Sequence, residues 1–143
     1  MPGSSDVTSL AKLHQELPET DVLILALALT RETEGIIGAT ELSLLPSHAW
    51  VINVARGKHV VTDDLVEALV AESIGGAALD VTDPEPLDPN HLLWTLDNCI
   101  ITPHVGNTPE MGLPLLAERV TQNVRARVNG DQLIGLVDTK AGY

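Results

Sequence analysis

The chain has 143 residues, 44% hydrophobic and 20% charged, with 20 acidic against 8 basic side chains and a formal net charge of −12. This length and apolar content suit one compact unit around one core. The acidic excess opposes phosphate backbones and anionic membrane surfaces and excludes nucleic acid and membranes as partners. Cys99 is the only cysteine, which excludes an internal disulfide and a thiolate zinc site. The single cysteine fits a reducing cytoplasm, and because the opening Met1-Pro2-Gly3-Ser4-Ser5-Asp6 has neither a basic region nor an apolar signal core and no apolar run reaches bilayer length, a soluble protein is expected. Trp50, Trp94 and Tyr143 are the only aromatic residues, which leaves aliphatic side chains to build the core.

In chain order, Val7 to Leu17 reads as an entry helix closed by Pro18. Val22 to Leu27 is an uninterrupted apolar run of strand length, the pattern of a strand covered on both faces. Thr40 to Leu45 reads as a short helix stopped by Pro46, and Trp50 to Val54 as a second strand ending in a turn at Arg56-Gly57. Thr62 is the expected N-cap of a helix whose Leu65, Val66, Leu69 and Val70 share one face, with Gly75-Gly76 as its terminator. Ala77 to Val81 and Cys99 to Thr102 are the third and fourth strands, and Asp83 to Pro89 is a surface loop. The last helix is expected to start near Thr108-Pro109 and end at Asn129-Gly130, with Leu116, Val120, Val124 and Val128 on one stripe and Pro114 kinking it or delaying its start. Apolar strands separated by helices or crossovers predict an α/β fold with a mostly parallel sheet of about four strands.

Three polar groups follow predicted strand ends: Arg56, the stretch from Asp80 to Glu85, and His104. In open α/β sheets ligands bind beyond the carboxyl ends of the strands, so this placement bears on function. Taken singly, each residue has an ordinary explanation. Arg56 reads equally well as a surface charge, Asp80 as a turn acceptor, Glu85 as a solvated loop carboxylate and His104 as an exposed loop histidine. Only their joint arrangement favours chemistry. His14, His48, His59 and His91 show no metal-ligand spacing, so no metal site is expected, and Cys99 inside an apolar strand reads as a packing residue.

Asn53-Val54-Ala55-Arg56-Gly57, then Ala78-Leu79-Asp80-Val81 followed by Glu85-Pro86, then Thr102-Pro103-His104 resemble, in order and spacing, successive signature segments of the D-isomer-specific 2-hydroxyacid dehydrogenase family. The resemblance extends from about Pro18 to Gly130 and is to the C-terminal half of that family's NAD-binding domain. It implies a partial Rossmann-like, doubly wound sheet lacking its first βαβ unit. The activity it implies is hydride transfer between NAD or NADP and C2 of a small 2-keto or 2-hydroxy acid.

The catalytic group implied by the resemblance is Arg56, Glu85 and His104. Arg56 would hold the substrate carboxylate and keto oxygen by charge-assisted hydrogen bonds. His104 would exchange a proton with the carbonyl oxygen, and Glu85 would hydrogen-bond His104 and favour the imidazolium. Asp80 would accept from the nicotinamide carboxamide, and the cofactor-side set implied by the family is Ala28, Val54, Arg56, Asp80, His104 and Gly106. In the family the helix at 108–130 packs back toward a substrate domain that is missing here, the rest of 1–143 forming one partial NAD(P)-binding domain.

The glycine-rich G-x-G-x-x-G loop that seats a pyrophosphate is absent, and Gly35, Gly38 and Gly75-Gly76 do not replace it. Ala28 stands where a proline is common in the family, and Val105-Gly106-Asn107 after the histidine is a second departure. The chain is therefore expected to be a truncated product, inactive alone, with a noncatalytic binding or assembly module as the second reading. Taking 22–27 as the third strand of an order 3-2-1-4-5-6 leaves a gap near ~14 Å between it and the next strand. A rearranged sheet, strand exchange in a homo-oligomer, or a complementary chain is expected to fill that gap.

Overall fold

The computed structural model describes residues 9–140, and the chain divides into two compact units, Met1–Pro103 and His104–Tyr143. The first unit is built on four strands, β1 (Val22–Leu25), β2 (Trp50–Asn53), β3 (Gly76–Leu79) and β4 (Cys99–Ile101). All are parallel and lie in the order β1-β2-β3-β4. Their connections carry α1 (Leu13–Glu16) ahead of β1, α2 (Ala39–Leu44) between β1 and β2, and α3 (Thr62–Val70) between β2 and β3.

Side chains alternate between the two faces of a strand, and burial here follows that alternation. Leu25, Val51, Asn53, Ala77 and Leu79 are buried, and the apolar ones join Leu42, Leu45, Leu65 and Leu69 from the helical segments in one core. The opposite face carries Ile24 and Ile100, more than half exposed, with Ile52 and Ala78 between them in register. The apolar run at 22–27 is thus not a strand covered on both faces. It is a four-residue edge strand, and Val22 and Ile24 face outward because the first unit places its crossover helices on one side only.

The expected gap beside this strand is also corrected. Val22 pairs with Trp50 and Leu25 with Asn53, so β1 bonds β2 directly. A run in which every strand lies beside its predecessor is the half of a doubly wound sheet that follows the switch point. In that scheme β1 is the fourth strand and not the third, and no rearrangement is required to pair its inner edge.

Several local expectations shift for identifiable reasons. The entry helix is a composite of two 3₁₀ turns, Leu10–Lys12 and Leu17–Glu19, around α1, and Pro18 sits inside the second turn instead of closing the helix. Val7 and Thr8 lie outside the described residues. At the start of α2 the Glu41 carboxylate of its own first turn accepts from the Gly38 amide at 3.0 Å, and Asp64 of α3 accepts from the Ala39 amide at 2.8 Å. Thr62 is the first residue of α3 and not its cap, because its hydroxyl donates to the Asp83 carbonyl at 2.7 Å. The buried face of α3 is Leu65, Ala68 and Leu69, while Val70 is 56% exposed. Gly75-Gly76 does not end that helix, which stops at Val70. These glycines admit backbone instead: a Cβ on Gly75 would lie 2.5 Å from the His48 carbonyl oxygen, and one on Gly76 2.7 Å from that of Asn98.

The second unit holds α4 (Pro109–Asn129), which Gly130 caps in the left-handed region at φ +78°. Pro114 lies inside the helix, whose start at Pro109 is not delayed. The Asn123 side chain clamps the following segment, accepting from the Ile134 amide at 2.8 Å and donating to its carbonyl at 3.0 Å. The stripe Leu116, Val120, Val124 and Val128 is exposed. Among the described residues no helix is long and apolar enough to cross a membrane.

One covered face and one open face give a direct contrast. Leu69→Ala is expected to cost about 2–5 kcal/mol in urea unfolding, as for a truncated core leucine. Ile24→Thr, which keeps a β-branched side chain on the open face, is expected to stay within about 1 kcal/mol. Equal losses would contradict the assignment of faces.

Candidate active site

The candidate residues of the first unit lie at the carboxyl edge of the sheet, where the parallel ladder continues one residue past each strand. The Val54 amide donates to Leu25, that of Asp80 to Asn53 and that of Thr102 to Leu79, at 3.2, 3.0 and 2.9 Å. Val54, Asp80 and Thr102 therefore occupy equivalent positions on neighbouring strands. Arg56 stands two residues beyond Val54, Ala28 lies in the loop after β1, and Glu85 lies in the loop after β3. The same loop contains the cis peptides Asp83-Pro84 and Glu85-Pro86.

Arg56 combines an exposed side chain with a fixed backbone. Its guanidinium Nη1 donates to the Ala55 carbonyl at 2.6 Å. Asn53, 1% exposed, closes the turn by accepting from the Ala55 amide at 3.1 Å and donating to the Arg56 carbonyl at 2.9 Å. The fully buried His59 reaches the same turn: Nδ1 lies 2.9 Å from the Arg56 carbonyl oxygen and 3.3 Å from the Arg56 amide nitrogen, and Nε2 lies 3.3 Å from the Ala28 carbonyl. This side chain joins the loop after β1 to the loop after β2.

The loops after β2 and β3 are locked by close approach. A Cβ on Gly57 would lie 1.9 Å from the Thr82 carbonyl oxygen and 2.6 Å from the Asp83 nitrogen, so this crossing admits only glycine. The Thr62 hydroxyl on Asp83 fastens the same loop from α3. Asp80, 8% exposed, accepts from the Thr102 hydroxyl at 2.6 Å, which ties the ends of β3 and β4.

His104 and Gly106 belong to the second unit, and His104 adopts φ +56°. That conformation is unusual for a residue with a side chain and is enriched at functional positions. Cys99 packs beside the core, and burial pushes its thiol up to about 11, keeping it protonated near neutral pH. Among the described residues no group of three or more His, Cys, Asp or Glu side chains is placed to hold a metal ion. An open pocket of about 440 Å³ has Glu34, Lys58, Thr62, Asp83 and His91 in its wall but neither Arg56 nor Glu85.

Asn53, Gly57, His59 and Thr102 are supporting residues to which the sequence reading gave no role of their own. Asn53 carried a usable signal, since an Asn at a strand end readily bonds the backbone two residues on. His59 carried only its spacing, three residues after Arg56 in a tight turn.

Residues 3–106 match the model of the D-isomer specific 2-hydroxyacid dehydrogenase NAD binding domain. A glyoxylate/hydroxypyruvate reductase A of Klebsiella pneumoniae is 40% identical over 135 residues, 93% of this chain and 42% of that protein. A solved D-isomer specific 2-hydroxyacid dehydrogenase of Xanthobacter autotrophicus, in complex with NADPH and MES, is 33% identical, with a TM-score of 0.86 over 100% of this chain and 60% of that one. An NADPH-dependent glyoxylate/hydroxypyruvate reductase of Sinorhizobium meliloti, in complex with NADP and sulfate, gives 33% identity and a TM-score of 0.86 over 95% of this chain and 44% of that one. The chain spans about half the length of the curated relatives it matches, 46% and 42% in two of them.

Gly57→Ala is expected to force apart the loops after β2 and β3 at a cost of about 1–3 kcal/mol, as for an overpacked site. Urea unfolding measures this cost. Unchanged stability would contradict the close approach of Gly57 to Thr82.

Proposed function

As the chain belongs to the D-isomer specific 2-hydroxyacid dehydrogenase family, we propose that its sheet edge is the nicotinamide- and substrate-facing half of an oxidoreductase site for a small 2-keto or 2-hydroxy acid. The observation that carries this reading is the level placement of Val54 and Asp80 at adjacent parallel strand ends, with Arg56 on a turn that three side-chain or close-approach constraints hold. The family's cofactor fits this edge: Asp80 offers a largely buried carboxylate acceptor, and Val54, 47% exposed, offers apolar surface beside it. Asp80 and the backbone around Ala28, Val54 and Gly106 would hold the nicotinamide end. The cofactor, NAD or NADP, supplies the hydride when bound.

Arg56 binds the acid through its carboxylate and draws electron density from the keto oxygen, which makes C2 the electrophile. Its planar fork suits both oxygens, and a lysine would not reproduce that geometry. His104 would deliver a proton to the carbonyl oxygen in reduction and remove it in oxidation, and Glu85 completes the family's catalytic set. These 143 residues contain no G-x-G-x-x-G loop, so we propose that dinucleotide affinity depends on a pyrophosphate-binding loop outside them and that they are inactive alone. The exposed Ile24 and Ile100 favour a partner, and they also support the second reading, an assembly module without turnover.

The test mixes this chain with the N-terminal half of the Klebsiella pneumoniae relative and follows NADH and NADPH oxidation with glyoxylate or hydroxypyruvate. The mixture is expected to turn over where neither part does alone. His104→Ala or Arg56→Ala is expected to reduce kcat/KM by about 100-fold or more. Turnover insensitive to both substitutions would overturn the assignment, and a stable complex without turnover would favour the assembly role.

A further inference from the structure

His59 is fully buried, carries no role in the proposed chemistry, and has both ring nitrogens committed to backbone. Its own backbone is held from the far side, because the Ile37 amide donates to the His59 carbonyl at 3.0 Å. The ring is thus fixed relative to the core before it meets the loops. Hydrogen-bond accounting then assigns each nitrogen. The Arg56 carbonyl has two lone pairs, and two N–H donors already meet it, Asn53 Nδ2 at 2.9 Å and the His59 amide at 3.2 Å. Nδ1 lies 2.9 Å from that carbonyl oxygen and 3.3 Å from the Arg56 amide nitrogen; with both lone pairs of the carbonyl already met, Nδ1 is assigned as the acceptor for the amide and Nε2–H as the donor to Ala28, at 3.3 Å.

We propose that His59 is a positioning residue: in this Nε2–H form it fixes the Arg56 backbone against the loop after β1 and so sets the direction from which the guanidinium meets a substrate carboxylate. The proposal rests on the reading of Arg56 as the carboxylate-binding group and goes beyond it. His59 touches neither the acid nor the cofactor. It acts through Arg56 on one side and through Ala28, in the cofactor-side loop, on the other. Without the ring's bonds to the Arg56 amide and the Ala28 carbonyl, the turn gains alternative orientations, and the anion must select the productive one at a cost in affinity.

The discriminating variants follow from the ring's two ends. His59→Leu fills the space and removes both bonds. His59→Asn places an amide oxygen near the Nδ1 position and keeps an acceptor for the Arg56 amide. His59→Gln extends toward the Nε2 position and keeps the bond to Ala28 alone. The probe is oxalate, whose carboxylate beside a second C–O group matches the end of a 2-keto acid that Arg56 would hold. It is titrated into the full chain, with the Arg56 backbone and Nε–H signals followed by ¹H–¹⁵N spectroscopy and a thermal melt recorded for each variant.

Wild type is expected to shift at Arg56 with oxalate, and Arg56→Gln to lose the response. His59→Leu is expected to weaken oxalate by about tenfold, the equivalent of one lost hydrogen bond, while His59→Asn stays within about threefold of wild type. If His59→Leu does not fold, His59→Gln carries the same tenfold expectation, because it leaves the Arg56 amide without an acceptor. Wild-type affinity in a folded His59→Leu or His59→Gln, or equal losses in His59→Asn and His59→Gln, overturns the positioning role and leaves Arg56 as the anion site. Oxalate binding that is the same in Arg56→Gln as in wild type overturns the reading of Arg56 and the positioning role with it. These patterns differ, so the failure of one inference is not mistaken for the failure of the other.

Discussion

Parallel pairing of four consecutive strands in one register is the constraint on which the rest of the first unit depends. Leu25, Asn53, Leu79 and Ile101 lie level across the sheet, so the next residues of neighbouring strands emerge at the same edge and in the same direction. Parallel ladders require each return crossover to run the length of the sheet, which sends α2 and α3 back to the amino ends and leaves the carboxyl edge to loops. Those loops carry Ala28, Arg56, Asp80 and Glu85, residues separated in sequence that the ladder gathers at one edge.

What turns that edge from a row of loops into a candidate site is the way neighbouring loops restrain one another. His59 bridges the first and second, Gly57 lets the second cross the third in backbone contact, and Thr102 joins the third and fourth through Asp80. Each restraint uses a residue that is costly to place: a buried imidazole, a glycine in contact with a carbonyl, a largely buried carboxylate. A surface arginine needs none of them. Loops restrained from several sides hold a binding group with little entropy left to lose, the general basis of preorganised recognition.

Much of this was legible in the sequence, and the physical reasons for the remainder are specific. The α/β rhythm and the strand positions follow from apolar run length, and Arg56 and Asp80 were visible because polar residues immediately follow those runs. Burial of each strand face was not legible, since Val22 to Leu27 is apolar on both faces while only one is covered. Strand order depends on which half of a doubly wound sheet is present, and counting β1 as third instead of fourth created a gap that direct pairing removes. Thr62 looked like a cap because capping and loop-fastening hydroxyls have the same composition. Its partner, Asp83, is distant in sequence. Gly75-Gly76 looked like a helix stop for a similar reason, although its glycines serve backbone approach.

The central claim is that this chain presents the nicotinamide-facing half of a dehydrogenase site. Nicotinamide mononucleotide, which lacks the adenylate end of the cofactor, tests it most directly when titrated into the ¹⁵N-labelled chain. The perturbed amides are expected to be those of Ala28, Val54, Arg56 and Asp80, with Gly75 and Asn98 at the opposite end of the sheet unchanged. Perturbation centred on Gly75 and Asn98, or none at millimolar ligand, would contradict the claim.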